Sequence, residues 1–356
     1  MDNHSIILYN TSTNGKHIRI STKWVITIIV CLFLTLFFAI NFLIPYGCVE
    51  VTGNEVDNDY NNFLAGGSLV RSGSYLYYSY NVTENKSGII QIGQNGSKRI
   101  YWEGPYLIAP YQYAYKMRKH NDIILLGAEE IKCLDGETRK FTLFSSDKFP
   151  ENMNLNFYIC NDLMVYGSDS PEGQDLTVLK DEVLMKVQTV GNFCVTDTNV
   201  YYWEFDSAKD VSILHSINLF DREDSIIYST TQYFNIEFFF VEGQYLIFEG
   251  IGQLDKKGYV CKIELNNFNN IEKVLYSHSS KGLISQINVY KDIVYVSTNE
   301  GLITIDLSTE KVEKISEKCV MECYILDDTW VYFVGKNGTL WRVKQDGQDL
   351  EKVYGW

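Results

Sequence analysis

Seven short runs of aromatic and β-branched residues recur along the chain, and this repeat limits the fold more than any other feature of the sequence. The runs begin at Tyr75, Ile123, Leu163, Val200, Tyr245, Ile293 and Trp330. The intervals between them are 48, 40, 37, 45, 48 and 37 residues, with an average of about 42.5. Residues of these types favour strands, and polar turns precede most of the runs. We therefore expect one buried strand at each run.

The segments on either side of each run repeat as well. In the last repeat, the run WVYFV is followed by the turn GKNG, the strand-like TLWRV, the turn KQDG and then LEKVY. Asn-Gly and Asp-Gly are the strongest short hairpin signals. A further apolar segment, such as QINVY ahead of Ile293, precedes most of the runs. Each repeat thus predicts four antiparallel strands joined as a meander, which is the unit of a β-propeller blade.

The length of the repeat predicts how many blades there are. A four-stranded blade takes about 40–45 residues, so seven blades need about 298 of the roughly 307 residues that follow an apolar N-terminal run. The expected fold class is therefore all-β, a single β-propeller with seven blades. Six blades is the alternative if the third repeat, whose outer strands around Thr177 and Val187 are weak, is an insertion. A pair of β-sandwiches is disfavoured because it does not explain one continuous period.

The N-terminal part of the chain predicts one transmembrane α-helix. Residues 24–44 form an apolar run of 21 residues, and no charged residue lies between Lys23 and Glu50. At about 1.5 Å per residue this run spans roughly 30 Å, the thickness of one bilayer core. Bases precede the run and acids follow it, so the positive-inside rule places the N-terminus in the cytoplasm. We expect a cytoplasmic tail at 1–23, a transmembrane helix at 24–44, a linker at 45–61 and an extracytoplasmic propeller at 62–356. This topology localises the protein to the cell membrane as a single-pass protein.

A cleaved or lipidated N-terminus is the alternative to an uncleaved anchor. Cleavable signals have an apolar stretch of about 7–15 residues, which is shorter than this one. Gly47-Cys48 matches the end of a bacterial lipoprotein cleavage site, but Pro45 replaces the aliphatic residue expected three positions before the cysteine. Lipidation at Cys48 is therefore the less favoured interpretation.

Charge and cysteine content exclude some classes of function. The net charge of −14 divides into +2 on the first 23 residues and −16 on the rest, and so acidic a surface is a poor match to nucleic acid. Seven of the eight cysteines follow the apolar run, and an odd number cannot form a fully paired disulfide framework. Cys160, Cys194 and Cys261 lie in strand-like runs and are expected to be small buried side chains. One disulfide between distant strands stays open.

No catalytic, cofactor or metal motif emerges from the sequence. Only His120, His215 and His278 lie outside the N-terminal region, each apart from the others. There is no H-E-x-x-H, no G-x-S-x-G and no phosphate-binding loop. We expect no cofactor and no catalytic residues, although 44 carboxylates follow the tail and an acid pair in a propeller channel stays open.

One segment departs from the repeat and is the candidate ligand-binding loop. After KRIYW the chain continues with EGPYLIAPYQYAYKMRKH, which lengthens the first interval. Tyr106, Tyr111 and Tyr113 lie close to Arg118, and form an aromatic and basic cluster on an otherwise acidic domain. Loops on a rigid scaffold carry function more often than its strands do. The alternative is that the tyrosines at alternate positions form one face of a strand.

The repeat resembles the YWTD-type propeller of low-density-lipoprotein-receptor-related proteins, and resembles more closely an uncharacterised bacterial propeller family. The likeness rests on the Asn-rich lead NDYNNFLAGG at residues 58–67, which precedes SLVRSGSYLYYS, and on GTLWRVKQDGQDLEKVY in the last repeat. The Tyr-Trp-Thr-Asp box is absent, and VYYWE and IVYVST only approximate it. The resemblance implies a bacterial, membrane-anchored, extracytoplasmic propeller. We expect a non-enzymatic binding or scaffold module for a protein, peptide or glycan at the cell surface. The alternative is an enzyme with channel carboxylates that acts on a cell-surface carbohydrate.

Overall fold

The computed structural model divides the chain into two compact units, residues 1–48 and 49–356. The residues that the structure describes are 5–7, 19–21, 26–32, 50–58, 61–62, 67–83, 86–105, 116–120, 123–127, 132–135, 141–143, 153–160, 163–170, 173–179, 183–189, 192–236, 238–266, 272–278, 284–336 and 338–355. Parts of several strands, mainly in the first three sheets defined below, are described by their backbone alone.

The first unit contains one pair of strands and one helical segment among its described residues. Ser5–Ile7 pairs antiparallel with Arg19–Ser21. Residues 26–32 are helical, lie inside the predicted transmembrane run, and expose all seven side chains. The rest of residues 24–44 falls outside the described residues. Within the described part of the chain, no helix has both the length and the apolar character that crossing a bilayer requires. The transmembrane segment stays a prediction.

The strands of the second unit form seven consecutive sheets in the described residues, each an antiparallel meander in chain order. Sheet 1 comprises Leu69–Ser72, Tyr75–Thr83, Lys86–Gly93 and Lys98–Pro105. Sheet 2 comprises Lys116–His120, Ile123–Gly127, Lys132–Asp135 and Phe141–Leu143. Sheet 3 comprises Met153–Cys160, Leu163–Ser170, Gly173–Leu179 and Val183–Thr189. Sheet 4 comprises Phe193–Val195, Asn199–Asp206, Val211–Asn218 and Asp224–Thr230.

The remaining three sheets follow the same plan, except that one first strand is divided. Sheet 5 comprises Tyr233–Phe234 and Phe239–Glu242, which both pair with Tyr245–Gly252, and then Gly258–Glu264 and Lys273–Ser277. Sheet 6 comprises Ile284–Tyr290, Ile293–Thr298, Gly301–Asp306 and Val312–Ser316. Sheet 7 comprises Glu322–Ile325, Trp330–Val334, Leu340–Lys344 and Glu351–Tyr354. Residues 61–62, ahead of sheet 1, are helical.

Each aromatic run found in the sequence begins at or next to the start of a sheet's second strand, and every one of these strands pairs with a neighbour on both sides. Burial agrees with this position where side chains are described. Trp330–Val334 is buried at all five residues, and Tyr245–Gly252 is buried over most of its length. The third repeat, with its weak outer strands, forms a complete four-stranded sheet like the others. The prediction of an all-β, propeller-like domain is confirmed.

Apolar clusters join each of sheets 3 to 6 to the next sheet, and join sheet 7 to sheet 1. Phe240 and Ile247 of sheet 5, for example, pack against Ile287 and Val296 of sheet 6. Sheet 1 also meets sheet 2, where Met117 N donates a 2.6 Å hydrogen bond to Gly67 O. The core therefore lies between the faces of neighbouring sheets, and it includes a contact between the two ends of the repeat.

The described cysteines behave as the sequence predicts. Cys194, Cys261, Cys319 and Cys323 carry free thiols, and all of these but Cys319 are buried. Burial raises the pKa of the Cys194, Cys261 and Cys323 thiols to about 12. The Cys160 side chain and Cys48 lie outside what the structure describes.

Candidate functional site

Residues 50–58, which we call the strap, lie across one end of sheets 1 and 7. This end carries the turn between the first and second strands of each sheet. Val51 N donates a 2.9 Å hydrogen bond to Gln94 O, in the turn between the third and fourth strands of sheet 1. Asp328 N, in the turn between the first and second strands of sheet 7, donates a 3.1 Å bond to Asn54 O. Val51 is also buried in the apolar cluster that these two sheets share. The strap therefore contacts both ends of the repeat.

A buried ion pair lies beneath the strap. Arg71 Nη1 of sheet 1 is 3.3 Å from Asp327 Oδ2, which follows the first strand of sheet 7, and the two side chains are 8% and 0% exposed. Asp327 Oδ1 accepts bonds from Trp330 N and Thr329 N, while Oδ2 accepts one from Tyr332 Oη at 3.0 Å. Burial raises the pKa of Asp327, and these donors with Arg71 oppose that rise. The carboxylate is thus compensated by at least four donors.

The same guanidinium holds the strap to sheet 1. Arg71 Nη2 donates to Gly53 O at 2.9 Å, Nη1 to Thr52 O at 3.4 Å, and Nε to Gly73 O at 3.1 Å. Gly53 has φ of +85°, and a Cβ there would lie 2.9 Å from Asp327 Oδ1. Only glycine combines that backbone conformation with so close an approach to the carboxylate.

A cluster of four asparagines joins the end of the strap and the residues just after it to the first strands of sheets 6 and 7. We call it the asparagine cluster, and it comprises Asn58, Asn61, Asn62 and Asn288. The Asn62 side chain pairs with the Ile325 peptide in both directions, since Nδ2 donates to Ile325 O at 2.7 Å and Oδ1 accepts from Ile325 N at 2.9 Å. Asn288 Nδ2 donates to Asn62 Oδ1 and to Cys323 O, each at 2.9 Å. Asn61 Nδ2 donates to Val289 O at 2.9 Å. The asparagines of the lead therefore satisfy buried backbone groups.

A groove of about 930 Å³ lies between the strap and sheet 1. Three short segments line it: residues 50–53 of the strap, Ser74 and Tyr75 beside the first turn of sheet 1, and residues 93–97 around its last turn. Arg71 forms part of the lining, and Tyr75 exposes 45% of its surface. Most of the other lining side chains are uncharged and polar. This groove is the candidate binding site.

The opposite end of the same two sheets, where their first strands begin, carries a smaller polar cluster. Ser68 Oγ donates to Glu322 Oε2 at 2.6 Å, and Tyr324 Oη donates to the same oxygen. Ser68 N donates to Tyr324 Oη at 3.1 Å. Burial raises the pKa of Tyr324 well above its usual range, and the Glu322 charge adds to that rise. Because these groups satisfy one another, the cluster fixes sheet 1 against sheet 7 and offers no reactive group.

The structure tests little of the loop that the sequence singled out. Tyr106, Tyr111 and Tyr113 lie outside the described residues. Arg118 lies on Lys116–His120, where its backbone pairs with Leu125, and its side chain is not described. The role of this loop in ligand binding stays a prediction. Among the described residues, no group of three or more His, Cys, Asp or Glu side chains is arranged to hold a metal ion.

The strap and the groove were missed at the sequence level. Arg71 and Asp327 are 256 positions apart, so no local spacing connects them. Tyr75 marked the start of a strand, and its exposure could not be deduced from that pattern. Two signals in the sequence pointed to these regions. The polar Asp327-Asp328 pair, which precedes the run at Trp330, indicated only a turn, and the Asn-rich lead indicated only a family resemblance.

Comparison with known proteins supports the fold and identifies no family. No family model and no curated protein matches this sequence. Among solved structures, the Pyrococcus horikoshii acylaminoacyl peptidase matches with a TM-score of 0.56 and 11% identity, over 85% of this chain and 54% of that one. A Mycobacterium tuberculosis puromycin-hydrolyzing peptidase matches with a TM-score of 0.55 and 11% identity, over 87% and 56%. The extracellular domain of the BT4673 system from B. thetaiotaomicron matches with a TM-score of 0.55 and 14% identity, over 81% and 41%.

At these identities the matches concern the fold alone. The chain spans only about half the length of the matched peptidases and less than half of the BT4673 extracellular domain. The resemblance to the YWTD-type family is not supported at the family level. The second unit therefore shares a propeller-like fold with these structures.

Proposed function

We propose that the chain is a single-pass membrane protein whose second unit is a closed seven-bladed propeller outside the cell, acting as a non-enzymatic binding or scaffold module. Seven successive antiparallel meanders, six with four strands and one with a divided first strand, favour seven blades over six. Apolar packing of sheet 7 against sheet 1 favours a closed ring. The observation that carries the binding role is the groove beside the strap, a concave site of about 930 Å³ within the usual size range of ligand pockets.

The proposed anchor rests on the sequence, and the first unit agrees with it. Residues 26–32 form a helix of seven residues without a charge, among which Ile26, Ile29 and Leu32 are each more than half exposed. A helical segment whose described side chains are all exposed and uncharged suits a lipid environment. The three bases between Lys16 and Lys23, ahead of the apolar run, orient the second unit outward.

Labelling of cysteines in intact cells tests the topology. Leu254 is fully exposed in the turn between the second and third strands of sheet 5, so Leu254→Cys creates an accessible thiol. We expect a membrane-impermeant maleimide to label full-length Leu254→Cys in intact cells well above the wild-type background. Ser12→Cys in the tail should be labelled only after lysis. Labelling of Leu254→Cys only after lysis would overturn the proposed orientation.

Photo-crosslinking in the same cells tests the binding role. A photoreactive residue in place of Gln94 would lie in the groove, and one in place of Phe220 would lie in the equivalent turn of sheet 4. We expect the Gln94 position to capture a discrete cell-surface species and the Phe220 position to capture none. Equal patterns from both positions, or no product at either, would contradict a binding role for the groove.

A further inference from the structure

We propose that the groove between the strap and sheet 1 binds a neutral oligosaccharide, with Tyr75 as the stacking surface. This inference rests on the proposed binding role and specifies its ligand class. The ligand would lie between strap residues 50–53 and the two turns of sheet 1, at Ser74-Tyr75 and residues 93–97.

The walls of the groove are held in place by the protein itself. The strap wall is fixed by Arg71, which donates to Gly53 O, and by Val51 N, which donates to Gln94 O. The turn at residues 93–97 is closed by a 2.7 Å bond from Gly93 N to Ser97 O and by a 3.1 Å bond from Ser97 N to Asn95 Oδ1. A preformed site of this kind binds without the cost of ordering its loops.

The charges in the groove disfavour an anionic ligand. Arg71 is the one cation in the lining, and it is buried and neutralised by Asp327 at 3.3 Å. Glu50 adds an exposed carboxylate, and the chain beyond its tail carries a net charge of −16. A phosphate or uronate would therefore be repelled from a site whose described lining offers no free cation to compensate it.

The polar lining suits a ligand with many hydroxyl groups. The side chains of Ser74, Gln94, Asn95 and Ser97 are uncharged and together supply both donors and acceptors. Tyr75 pairs across the sheet with Gly93, which has no side chain to cover the ring, and Tyr75 is 45% exposed. A partly exposed aromatic residue beside amides and hydroxyls suits a pyranose, which has an apolar C–H face and a hydroxylated rim.

An extended peptide fits the site less well. Peptides that add to a sheet need a strand edge with unpaired backbone groups. Tyr75–Thr83, which begins at the groove, already pairs with Leu69–Ser72 on one side and with Lys86–Gly93 on the other. The groove therefore offers side chains more readily than a backbone edge, which favours a glycan.

The test measures binding of defined probes to the full-length protein in detergent micelles. The neutral probes are maltohexaose, cellohexaose and the hexamer of N-acetylglucosamine, the anionic probe is a hexagalacturonate, and the peptide probe is an uncharged hexapeptide. We expect at least one neutral oligosaccharide to bind, and the hexagalacturonate and the peptide not to bind. Tyr75→Ala should weaken binding about fivefold or more, in line with the usual contribution of an aromatic contact.

Two matched variants separate stacking from general damage. Tyr75→Phe keeps the ring and should bind within about twofold of wild type. Phe220→Ala removes another highly exposed aromatic residue, in the turn between the third and fourth strands of sheet 4, and should bind like wild type. Failure of all three neutral probes, equal binding by Tyr75→Ala and wild type, or binding of the peptide in their place would overturn the inference. Leu254→Cys could be labelled in intact cells even if one of these results is obtained. In that case the proposed membrane topology would still hold, and only the oligosaccharide inference would be wrong.

Discussion

The joint between sheets 5 and 6 and the joint between sheets 7 and 1 are built differently. The first is an apolar cluster in which Phe240 and Ile247 pack against Ile287 and Val296. Beside it, Glu310 pairs with the exposed Lys273 and with the partly buried Lys262, and Glu310 itself is 36% exposed. The second has an apolar cluster of similar size, and adds a buried ion pair, the strap and the asparagine cluster.

The difference follows from chain connectivity. Sheets 5 and 6 are consecutive, so the chain itself keeps them adjacent, whereas sheets 7 and 1 lie at opposite ends of the repeat. Apolar packing tolerates small shifts in how two faces meet. A buried charge requires its partner within hydrogen-bond distance, because an unpaired charge in the core is costly. We infer that Arg71 and Asp327 fix the one arrangement in which the ends of the repeat meet.

Removing the buried carboxylate should have the largest effect. Asp327→Ala leaves the Arg71 guanidinium buried without its counter-ion, and we expect a loss of about 3–5 kcal/mol in the free energy of unfolding. Urea unfolding of the full-length protein, followed by tryptophan fluorescence, measures this loss. Asp328→Ala, which removes the exposed neighbour that bonds to Asn54, is the control and should cost clearly less. Equal losses would contradict a special role for the ion pair.

Truncation in the apolar joint should cost somewhat less. Ile287 is fully buried between sheets 5 and 6, so Ile287→Ala leaves a cavity, with an expected loss of about 2–4 kcal/mol. Val312→Ala, on the exposed fourth strand of sheet 6, should change the urea midpoint little. If Ile287→Ala lowered the free energy of unfolding more than Asp327→Ala does, the expected order of the two joints' contributions to stability would be wrong.

The asparagine cluster should contribute less again. Asn62→Ala leaves both polar groups of the Ile325 peptide without their partner, and we expect a loss of about 1–3 kcal/mol. Asn62→Asp keeps the acceptor for Ile325 N, but it places an ionisable carboxyl group at a buried position, so its loss should be at least as large as that of Asn62→Ala. A urea midpoint unchanged in Asn62→Ala would show that the cluster does not stabilise the contact between the lead and sheets 6 and 7.

The smallest expected effect is a dependence of stability on pH, and it arises at the joint between sheets 4 and 5. Cys194 and Cys261 lie in the apolar cluster between sheets 4 and 5, and burial raises the pKa of each thiol from 9.0 to about 12. The folded protein then binds more protons than the unfolded chain between pH 9 and 12, so stability is lost as pH rises through that window. We expect each thiol to cost about 1 kcal/mol between pH 8 and 9.5. Cys194→Ala should flatten the pH dependence of the urea midpoint, and an unchanged slope would contradict this assignment.

The sequence was sufficient for the repeating part of the fold because each repeat carries local signals. Aromatic runs mark the second strands, and Asn-Gly or Asp-Gly turns mark hairpins such as the one between Trp330–Val334 and Leu340–Lys344. These signals act over a few residues and recur, so a period can be measured. The buried thiols also followed from their place in apolar runs.

The strap, the ion pair and the groove could not be predicted in the same way. Arg71 lies in a strand whose sequence gives no reason to bury a charge, and its partner Asp327 looks like an ordinary turn residue. Contacts between them form only when the two ends of the repeat meet. Tyr75 is partly exposed and lies opposite Gly93, a pairing that depends on the register of the hairpin and not merely on its existence.

A double-mutant cycle across the joint between sheets 7 and 1 tests the proposed closed ring most directly. The four proteins are wild type, Arg71→Met, Asp327→Ala and the double variant, compared by urea unfolding of the full-length chain. If the two side chains form a buried pair, the double variant loses less than the sum of the single losses, by about 2–3 kcal/mol. Losses that add to within about 0.5 kcal/mol would show that these residues act independently, and would contradict a ring fastened at this joint.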